Sequence, residues 1–266
     1  MFEKELDSSV NNYIEEEYSL NYVKQLQWDA AIGLQEVDSL KPSKYLKKLS
    51  EENVNGEKTI YEVEHELKEY YIEKEKINDI NHNELECDLV STRIVQLLED
   101  EKFKLSVDFL RYIHGYLFKD IYDFAGQFRK IDFSKHELIL NNDSALYGDC
   151  KTLKESLEYD ISLERVKNYK EMNIVEVINN ITDFSSRIWQ THPFREGNGR
   201  SIREFLREVV LLKNKTLPFE VELDYTKVDK ENMLKGTAYR YFFPSMLELE
   251  FSKGLVPLEK EKKNTK

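Results

Sequence analysis

A loop rich in proline and glycine interrupts two strongly apolar helical stretches between Trp189 and Leu206, and it constrains the fold more than any other feature of the sequence. Upstream, "NIVEVINNITDFSSRIWQ" places its apolar residues on one stripe, which predicts a buried helix. That helix must end near Gln190, because Pro193 lacks an N–H group and disfavours a helical residue before it. The stripe resumes in "GRSIREFLREVVLLK". The sequence therefore predicts that "THPFREGNG" is a tight loop leading into a helix N-terminus.

The glycines of this loop predict an anion site. Glycine lets the backbone turn sharply, so the N–H groups of Gly197, Asn198 and Gly199 can point to one place. Together with the dipole of the following helix, such N–H groups bind an anion. Arg200 and Arg203 share a face of the first helical turn, and guanidinium groups match phosphate oxygens as bidentate donors. We therefore expect the anion to be a phosphate group.

Two more side chains of the loop predict reaction chemistry. A carboxylate beside a phosphate site, here Glu196, suits Mg²⁺, which bridges phosphate oxygens. An unperturbed histidine titrates at about pH 6.5, so His192 is a natural proton acceptor. The set suits attack by a hydroxyl group on a phosphate of a nucleotide. Taken singly, each residue also has a structural explanation, such as a turn or a helix cap. A zinc site would need more ligands, and a P-loop would need a Gly-Lys-Ser or Gly-Lys-Thr ending.

Composition favours a helical, non-membrane protein. Only nine glycines and five prolines occur among 266 residues, of which 40% are hydrophobic, so a helical fold with a real core is expected. No apolar run reaches the roughly 18 residues that a spanning helix needs, and the N-terminus lacks a signal-peptide core. Cys87 and Cys150 show no metal spacing, so we expect a cytoplasmic protein. The net charge of −12 argues against direct nucleic-acid binding.

The pattern along the chain predicts four segments. Residues 1–76 resemble a set of short helices, residues 77–84 a polar linker, residues 85–255 the main domain, and residues 256–266 a flexible tail. After Gly126 the period changes to alternation, which predicts a β-hairpin from about Lys130 to Leu140 with its turn near Ser134–Glu137. The predicted fold is all-α with one small β-hairpin.

Charge is distributed unevenly between these segments. Residues 1–75 contain 18 acidic residues and nine lysines, whereas Arg187 to Arg207 contains five arginines and two glutamates. Two interpretations stay open: the N-terminal acids form a solvated helical face, or they lie over the basic site.

Two stretches resemble one protein family. "HPFREGNGRSIR" is similar to the complete signature of Fic-domain proteins, which is His-x-Phe-x-acidic-Gly-Asn-Gly-Arg followed by two residues and arginine. "IHGYLFKDIYDFAGQFR" resembles the Fic core before its flap, a β-hairpin that pairs with the target. The resemblance covers roughly Leu85 to Leu249. It implies a compact α-helical core with a small β-hairpin flap, preceded here by the N-terminal helical module.

The resemblance also implies an activity, the transfer of AMP from ATP to a hydroxyl group of a serine, threonine or tyrosine of a target protein. His192 would be the general base, Phe194 a buried anchor, and Glu196 the ligand of Mg²⁺. Phosphates would be bound by Gly197, Asn198, Gly199, Arg200 and, at the γ-phosphate, Arg203. The flap residues that pair with the target backbone by strand addition would be Lys130, Ile131, Asp132 and Phe133. Transfer of another group, removal of AMP, or a non-catalytic interaction module remain alternatives, and the formation of a homo-oligomer stays open.

Fic proteins are commonly restrained by a helix that carries serine or threonine, three residues, then glutamate and glycine or asparagine. No segment of this chain matches that pattern strictly. The N-terminal region nonetheless resembles the small antitoxin module found with some Fic toxins, and Glu36 or Asp38 would lie near the position of the inhibitory acid. An acid there would pair with Arg203 and block the γ-phosphate.

Overall fold

The computed structural model describes residues 20–98, 103–132, 134–136, 144–217, 219, 221–240 and 242–257. These residues form ten α-helices and two antiparallel sheets of two strands each. The helices are α1 (Leu20–Glu36), α2 (Lys44–Val54), α3 (Ile60–Lys76), α4 (His82–Leu98), α5 (Val107–Phe118), α6 (Leu153–Val166), α7 (Ile174–Thr191), α8 (Asn198–Asn214), α9 (Lys230–Ala238) and α10 (Pro244–Gly254). The strands are β1 (Ser134–His136), β2 (Ser144–Leu146), β3 (Val221–Leu223) and β4 (Leu255–Pro257). The predicted all-α class with a small hairpin is confirmed, and the β3–β4 pair is an addition that the sequence pattern did not predict.

Local sequence signals explain where the helices begin. The side chain of Ser43 caps α2 by accepting a hydrogen bond from the Leu46 N–H at 3.0 Å, and Ser106 caps α5 in the same way. Before α7, Asn173 and Glu176 form a reciprocal capping box. Each cap satisfies N–H groups that have no partner within the helix. Serine is among the residues preferred at this position, so the sequence itself favours helix starts after Ser43 and Ser106.

The core lies around α7 and α8, whose apolar stripes are buried as predicted. On α7 the stripe includes Ile181, Phe184 and Ile188, and on α8 it includes Phe205 and Val209, all fully buried. Burial of one such side chain stabilises the fold by about 1.5–3 kcal/mol. The loop between the two helices is therefore held at both ends by packed helices.

The N-terminal helices share buried polar contacts with the main domain. Asp88 on α4 accepts hydrogen bonds from the Ser43 N–H at 2.9 Å and from the Tyr71 hydroxyl group at 2.7 Å. Arg93, also on α4 and fully buried, donates to Glu64 on α3 at 3.0 Å. Helix α4 begins within the predicted linker and β4 lies partly within the predicted tail. The division into domains stays a prediction.

None of the helices in the described part of the chain combines the length and the apolar character that crossing a membrane requires.

The hairpin lies further along the chain than predicted. β1 pairs with β2 in antiparallel register, with Lys135 opposite Ala145. Ser134–His136, which the alternation placed in the turn, is therefore a strand, and the predicted turn position was wrong. The physical reason is that alternation identifies an extended segment but does not specify which of several polar residues turns the chain.

The buried Arg93 has two carboxylate partners, Glu64 at 3.0 Å and the exposed Asp120 at 3.3 Å. Burial alone would raise the pKa of Glu64, but hydrogen bonds from Gln96 and Arg93 and the charges of Arg93 and Lys119 outweigh it and lower the pKa to about 2. A carboxyl group whose pKa falls on folding stabilises the native state above its unfolded pKa of about 4.3. That contribution is lost as the pH falls through the folded pKa.

Replacing Glu64 by glutamine is expected to lower the free energy of unfolding by about 2 kcal/mol near neutral pH, because Arg93 keeps its charge and loses the more buried of its two carboxylate partners. The difference from wild type should shrink as the pH falls, because Glu64 itself then becomes protonated. Urea unfolding at several pH values measures both effects. Glu69→Gln, an exposed position on the same helix, should change stability by less than about 0.5 kcal/mol. A Glu64→Gln deficit that is independent of pH would contradict this account.

Candidate functional site

His192 begins the loop between α7 and α8 in an unusual backbone conformation. It follows the last residue of α7 with φ 46° and ψ 62°, in the left-handed region, and its N–H donates to the Trp189 carbonyl at 3.0 Å. Pro193 then prevents the helix from continuing. Residues other than glycine rarely adopt positive φ, so the surrounding structure must stabilise this turn.

The glycine before α8 is required by both its conformation and its surroundings. Gly197 has φ 76°, and a Cβ atom there would lie 2.5 Å from the ring of Phe118. The loop is closed by Asn198, whose side chain accepts from the Phe194 N–H and donates to the Phe194 carbonyl, both at 2.8 Å. Phe194 is fully buried and stacks on His114 with ring centroids 3.8 Å apart. The side chain of Asn198 thus closes the loop through these two hydrogen bonds.

The loop opens into a cavity of about 410 Å³. The predicted site residues that line this cavity are His192, Glu196, Gly197, Asn198, Gly199, Arg200 and Asp38. Arg203 does not line it directly but contacts Asp38 beside it. The structure therefore brings the predicted base, carboxylate and glycine loop to one concave surface. Trp189 and Tyr122 lie on its wall, as does Leu234 of α9.

Both arginines predicted to bind phosphate, Arg200 and Arg203 in the first turns of α8, are engaged by acids. Arg203 donates to Asp38 at 2.6 Å and to the Leu34 carbonyl at 3.2 Å. The Nε atom of Arg200 lies 3.4 Å from Asp38, and its Nη1 atom lies 2.5 Å from Glu86 on α4. Burial disfavours the charge of Arg200, but Glu86 and Asp38 outweigh burial and raise the pKa of this guanidinium group. Phosphate oxygens would have to compete with these two carboxylates.

Of the two N-terminal acids named from the sequence, only Asp38 reaches the arginines. Asp38 lies in the turn directly after α1, next to Ser39, whose φ of 64° reverses the chain. Glu36 is exposed at the end of α1 and lines separate cavities on the side of Thr226. Glu86 was missed by sequence reasoning, because it belongs to no motif and reaches Arg200 only through the packing of α4.

A neutral histidine outside the loop holds the backbone of Glu196. The Nδ1 atom of His114 accepts from the Gly126 N–H at 2.8 Å, so its Nε2–H donates to the Glu196 carbonyl at 3.0 Å. Burial lowers the pKa of His114 to about 4, against the opposing effect of that hydrogen bond. His114 therefore stays uncharged near neutral pH and stabilises the loop through a single tautomer.

The side chain of Glu196 is exposed and lines the cavity. A carboxylate beside helix N–H groups fits Mg²⁺, which is usually bound by one or two carboxylates and takes its other ligands from phosphates and water. The donor set does not fit a structural zinc ion, which needs four protein ligands. Glu196 and the neighbouring N–H groups thus suit Mg²⁺ bound together with a nucleotide. They do not suit a metal ion whose ligands all come from the protein.

The predicted target-binding residues lie at the base of the hairpin. Lys130, Ile131 and Asp132 precede β1 and are exposed, while Phe133 lies outside the described residues. Asp132 accepts from the Cys150 N–H at 2.7 Å and from Arg129 at 3.1 Å, and these contacts lower its pKa. The three residues are thus accessible to another protein, although they are not themselves strand residues.

A family model and two curated relatives match parts of this chain. A family model described as Fic/DOC family matches residues 104–210. Protein adenylyltransferase VbhT of Bartonella schoenbuchensis is 24% identical over 139 residues, which are 52% of this chain and 27% of that protein. "Probable protein adenylyltransferase Fic" of Escherichia coli strain K12 is 28% identical over 105 residues, which are 38% of this chain and 48% of that protein. The chain spans less than half the length of both relatives.

Solved structures share the fold at low identity. The N-terminal Fic domain of a VirB-translocated Bep effector protein from Bartonella quintana has a TM-score of 0.55 and 20% identity, covering 66% of this chain and 83% of that one. BepC from Bartonella tribocorum, with bound AMPPNP, has a TM-score of 0.53 and 18% identity, covering 67% of this chain and 88% of that one. Such identities support likeness of fold alone.

Proposed function

Residues 104–210 of this chain are a Fic/DOC family domain, and from this premise we propose that the protein is an adenylyltransferase that moves AMP from ATP to a hydroxyl group of a target protein. One observation carries the proposal. His192, Glu196 and the N-terminus of α8 line the same cavity. A proton acceptor, a carboxylate and an anion site are the groups that nucleotidyl transfer needs in one place. The names of the relatives VbhT and Fic support the same activity.

In the proposed reaction, the oxygen of the target hydroxyl group attacks the α-phosphorus of ATP. The imidazole ring of His192 takes the hydroxyl proton, and a bond forms between that oxygen and the α-phosphorus. The bond from the α-phosphorus to the oxygen that bridges to the β-phosphate breaks, and pyrophosphate leaves. The first N–H groups of α8, which have no partner within the helix, would stabilise the phosphate charge. The products are an AMP–protein ester and pyrophosphate.

Binding of the triphosphate would rest on charge. The guanidinium groups of Arg200 and Arg203 would donate hydrogen bonds to phosphate oxygens in place of Asp38 and Glu86. Glu196 would hold Mg²⁺, which supplies neutralisation of phosphate charge when bound. ATP binding by the resting protein would then be restrained, because Asp38 forms an ion pair with Arg203, the residue expected to bind the γ-phosphate.

Target binding would use the hairpin. Lys130, Ile131 and Asp132 are exposed at its base, and an extended target segment would add to a hairpin strand through backbone hydrogen bonds. Recognition through the backbone imposes weak sequence specificity. The target is therefore expected to present a serine, threonine or tyrosine in an exposed extended loop.

Labelled nucleotides test the proposed transfer. The Asp38→Ala protein is incubated with a cell lysate and either α-³²P-ATP or γ-³²P-ATP. Label should appear on protein only from the α-position, and mass spectrometry of the labelled band should find one added AMP. Label from the γ-position would instead indicate phosphoryl transfer. Label from neither position, with transfer from UTP or a choline nucleotide, would replace AMP by another group.

A further inference from the structure

The guanidinium group of Arg129 is enclosed by backbone carbonyl groups at the base of the hairpin. Its side chain is fully buried. Its Nε atom donates to the His192 carbonyl at 2.9 Å, its Nη1 atom to the Ile131 carbonyl at 2.8 Å, and its Nη2 atom to the Thr191 carbonyl at 3.3 Å. Nη2 also donates to the Gly148 carbonyl. One rigid cation thus joins Ile131 before β1, Gly148 after β2 and the turn that carries His192.

Tyr147, the residue directly after β2, contacts the imidazole ring of His192. Tyr147 stacks on His192 with ring centroids 3.8 Å apart and an interplanar angle of 16°, while Trp189 meets the same ring edge-on at 5.6 Å. The next N–H, of Gly148, donates to the Gln190 carbonyl at 3.0 Å. The end of the hairpin is therefore attached to the end of α7 by both backbone and ring contacts.

These contacts meet at the position whose backbone is strained. A residue such as His192 in the left-handed region is energetically unfavourable and persists only where neighbouring groups stabilise it. The Arg129 hydrogen bond holds the His192 carbonyl, and the Tyr147 stack holds its ring, so both halves of the residue have a partner. Neither contact involves the glycine loop that is proposed to bind phosphate.

We infer that Arg129 and Tyr147 are positioning residues that couple the base of the β1–β2 hairpin to the imidazole ring of His192. The inference rests on the proposed adenylyl transfer. It means that binding of a target to the hairpin is coupled to the placement of the His192 ring. Position 129 requires arginine because the planar guanidinium group donates to several carbonyl groups at once, whereas the lysine ammonium group is a single point charge. Loss of either contact should therefore slow the chemical step and leave ATP binding unchanged.

The first experiment compares two buried arginines in the Asp38→Ala protein. Arg129→Lys is expected to lower kcat about tenfold, with KM for ATP changed by less than about twofold, because small misplacement of a catalytic group slows the reaction but not binding. Arg93→Lys is the matched control. Arg93 is also fully buried and also donates to backbone carbonyls, those of Leu117 and Lys119, so its replacement should lower Tm and leave kcat unchanged. Equal effects of both variants on kcat would overturn the inference.

The second experiment separates the ring stack from the hydroxyl group of Tyr147. Tyr147→Phe keeps the stack and is expected to keep kcat within about twofold, whereas Tyr147→Leu should lower it about tenfold. The ring protons of His192 are assigned by their loss in His192→Ala and followed by NMR. Tyr147→Leu should move them and Tyr147→Phe should not, because a stacked aromatic ring shifts the resonances of its neighbour.

The NMR result separates this inference from the proposed function. His192 resonances that are the same in Tyr147→Leu and wild type would overturn the positioning role, whatever the activity. Resonances that move in a protein that transfers no label from any nucleotide would support the positioning and remove the proposed function.

Discussion

Replacing His192 by alanine is expected to lower the rate of AMP transfer about 1,000-fold, which is the contribution typical of a general base. His192 lines the cavity beside the N-terminus of α8, whereas the groups proposed to bind phosphate belong to residues 197–203, at the other end of the loop. Binding of ATP should therefore persist. Labelled transfer from α-³²P-ATP measures the rate, and isothermal titration with AMPPNP measures binding, both in the Asp38→Ala protein.

The control for this prediction is His65→Ala. His65 is exposed on α3 and pairs only weakly with Glu69 at 3.4 Å, so its loss should leave transfer unchanged. If His192→Ala retained more than about a tenth of the parent rate, general-base catalysis by this residue would be excluded. Loss of AMPPNP binding in the same variant would show that the ring supports the loop rather than the reaction.

Replacing Asp38 by alanine is expected to strengthen ATP binding about 100-fold, equal to about 2.7 kcal/mol. Asp38 contacts Arg203 at 2.6 Å and Arg200 at 3.4 Å, and both arginines are buried. Removing one partner of a buried charge pair leaves the other charge unsatisfied, typically at a cost of 2–5 kcal/mol. The freed guanidinium groups should therefore bind a phosphate more tightly. Titration with AMPPNP measures the affinity, and auto-modification measures release of activity.

Glu36→Ala is the matched control, because it removes an acid two residues away that is exposed and lines other cavities. Its affinity for AMPPNP should equal that of wild type. Equal affinities of Asp38→Ala and wild type would exclude Asp38 as a restraint and leave Glu86 as the acid to test. Deletion of residues 1–75 is a less selective experiment, since it also removes Glu64 and Tyr71 from the buried Arg93 and Asp88.

Short-range chemistry allowed much of the fold and the site to be predicted. The apolar stripes of α7 and α8 depend on helical periodicity alone. The loop between them follows from Pro193 and from Gly197, whose positive φ and close approach to Phe118 only glycine tolerates. His192 and Glu196 are brought to one cavity because that short loop is held at both ends. Cap positions such as Ser43 were predictable for the same reason, since a cap acts within one turn.

The hairpin shows where this reasoning stops. The alternation after Gly126 predicted a pair of strands and a turn at Ser134–Glu137, but β1 includes Ser134–His136 and β2 begins at Ser144. A period of two identifies extended chain on either side of a turn and does not identify the turn. The position of β2 depends instead on the contacts of Tyr147 and Gly148 with the end of α7.

The sequence by itself determined the glycine loop, its flanking helices and the residue types that face the cavity, because each depends on neighbours within a few positions. Only the tertiary structure decided that Asp38 rather than Glu36 meets Arg203, which lies 165 residues away in the chain. It also decided that Glu86 holds Arg200 and that Arg129 holds the His192 carbonyl. Such pairs form between side chains whose distance depends on how helices pack, and no local pattern encodes that distance.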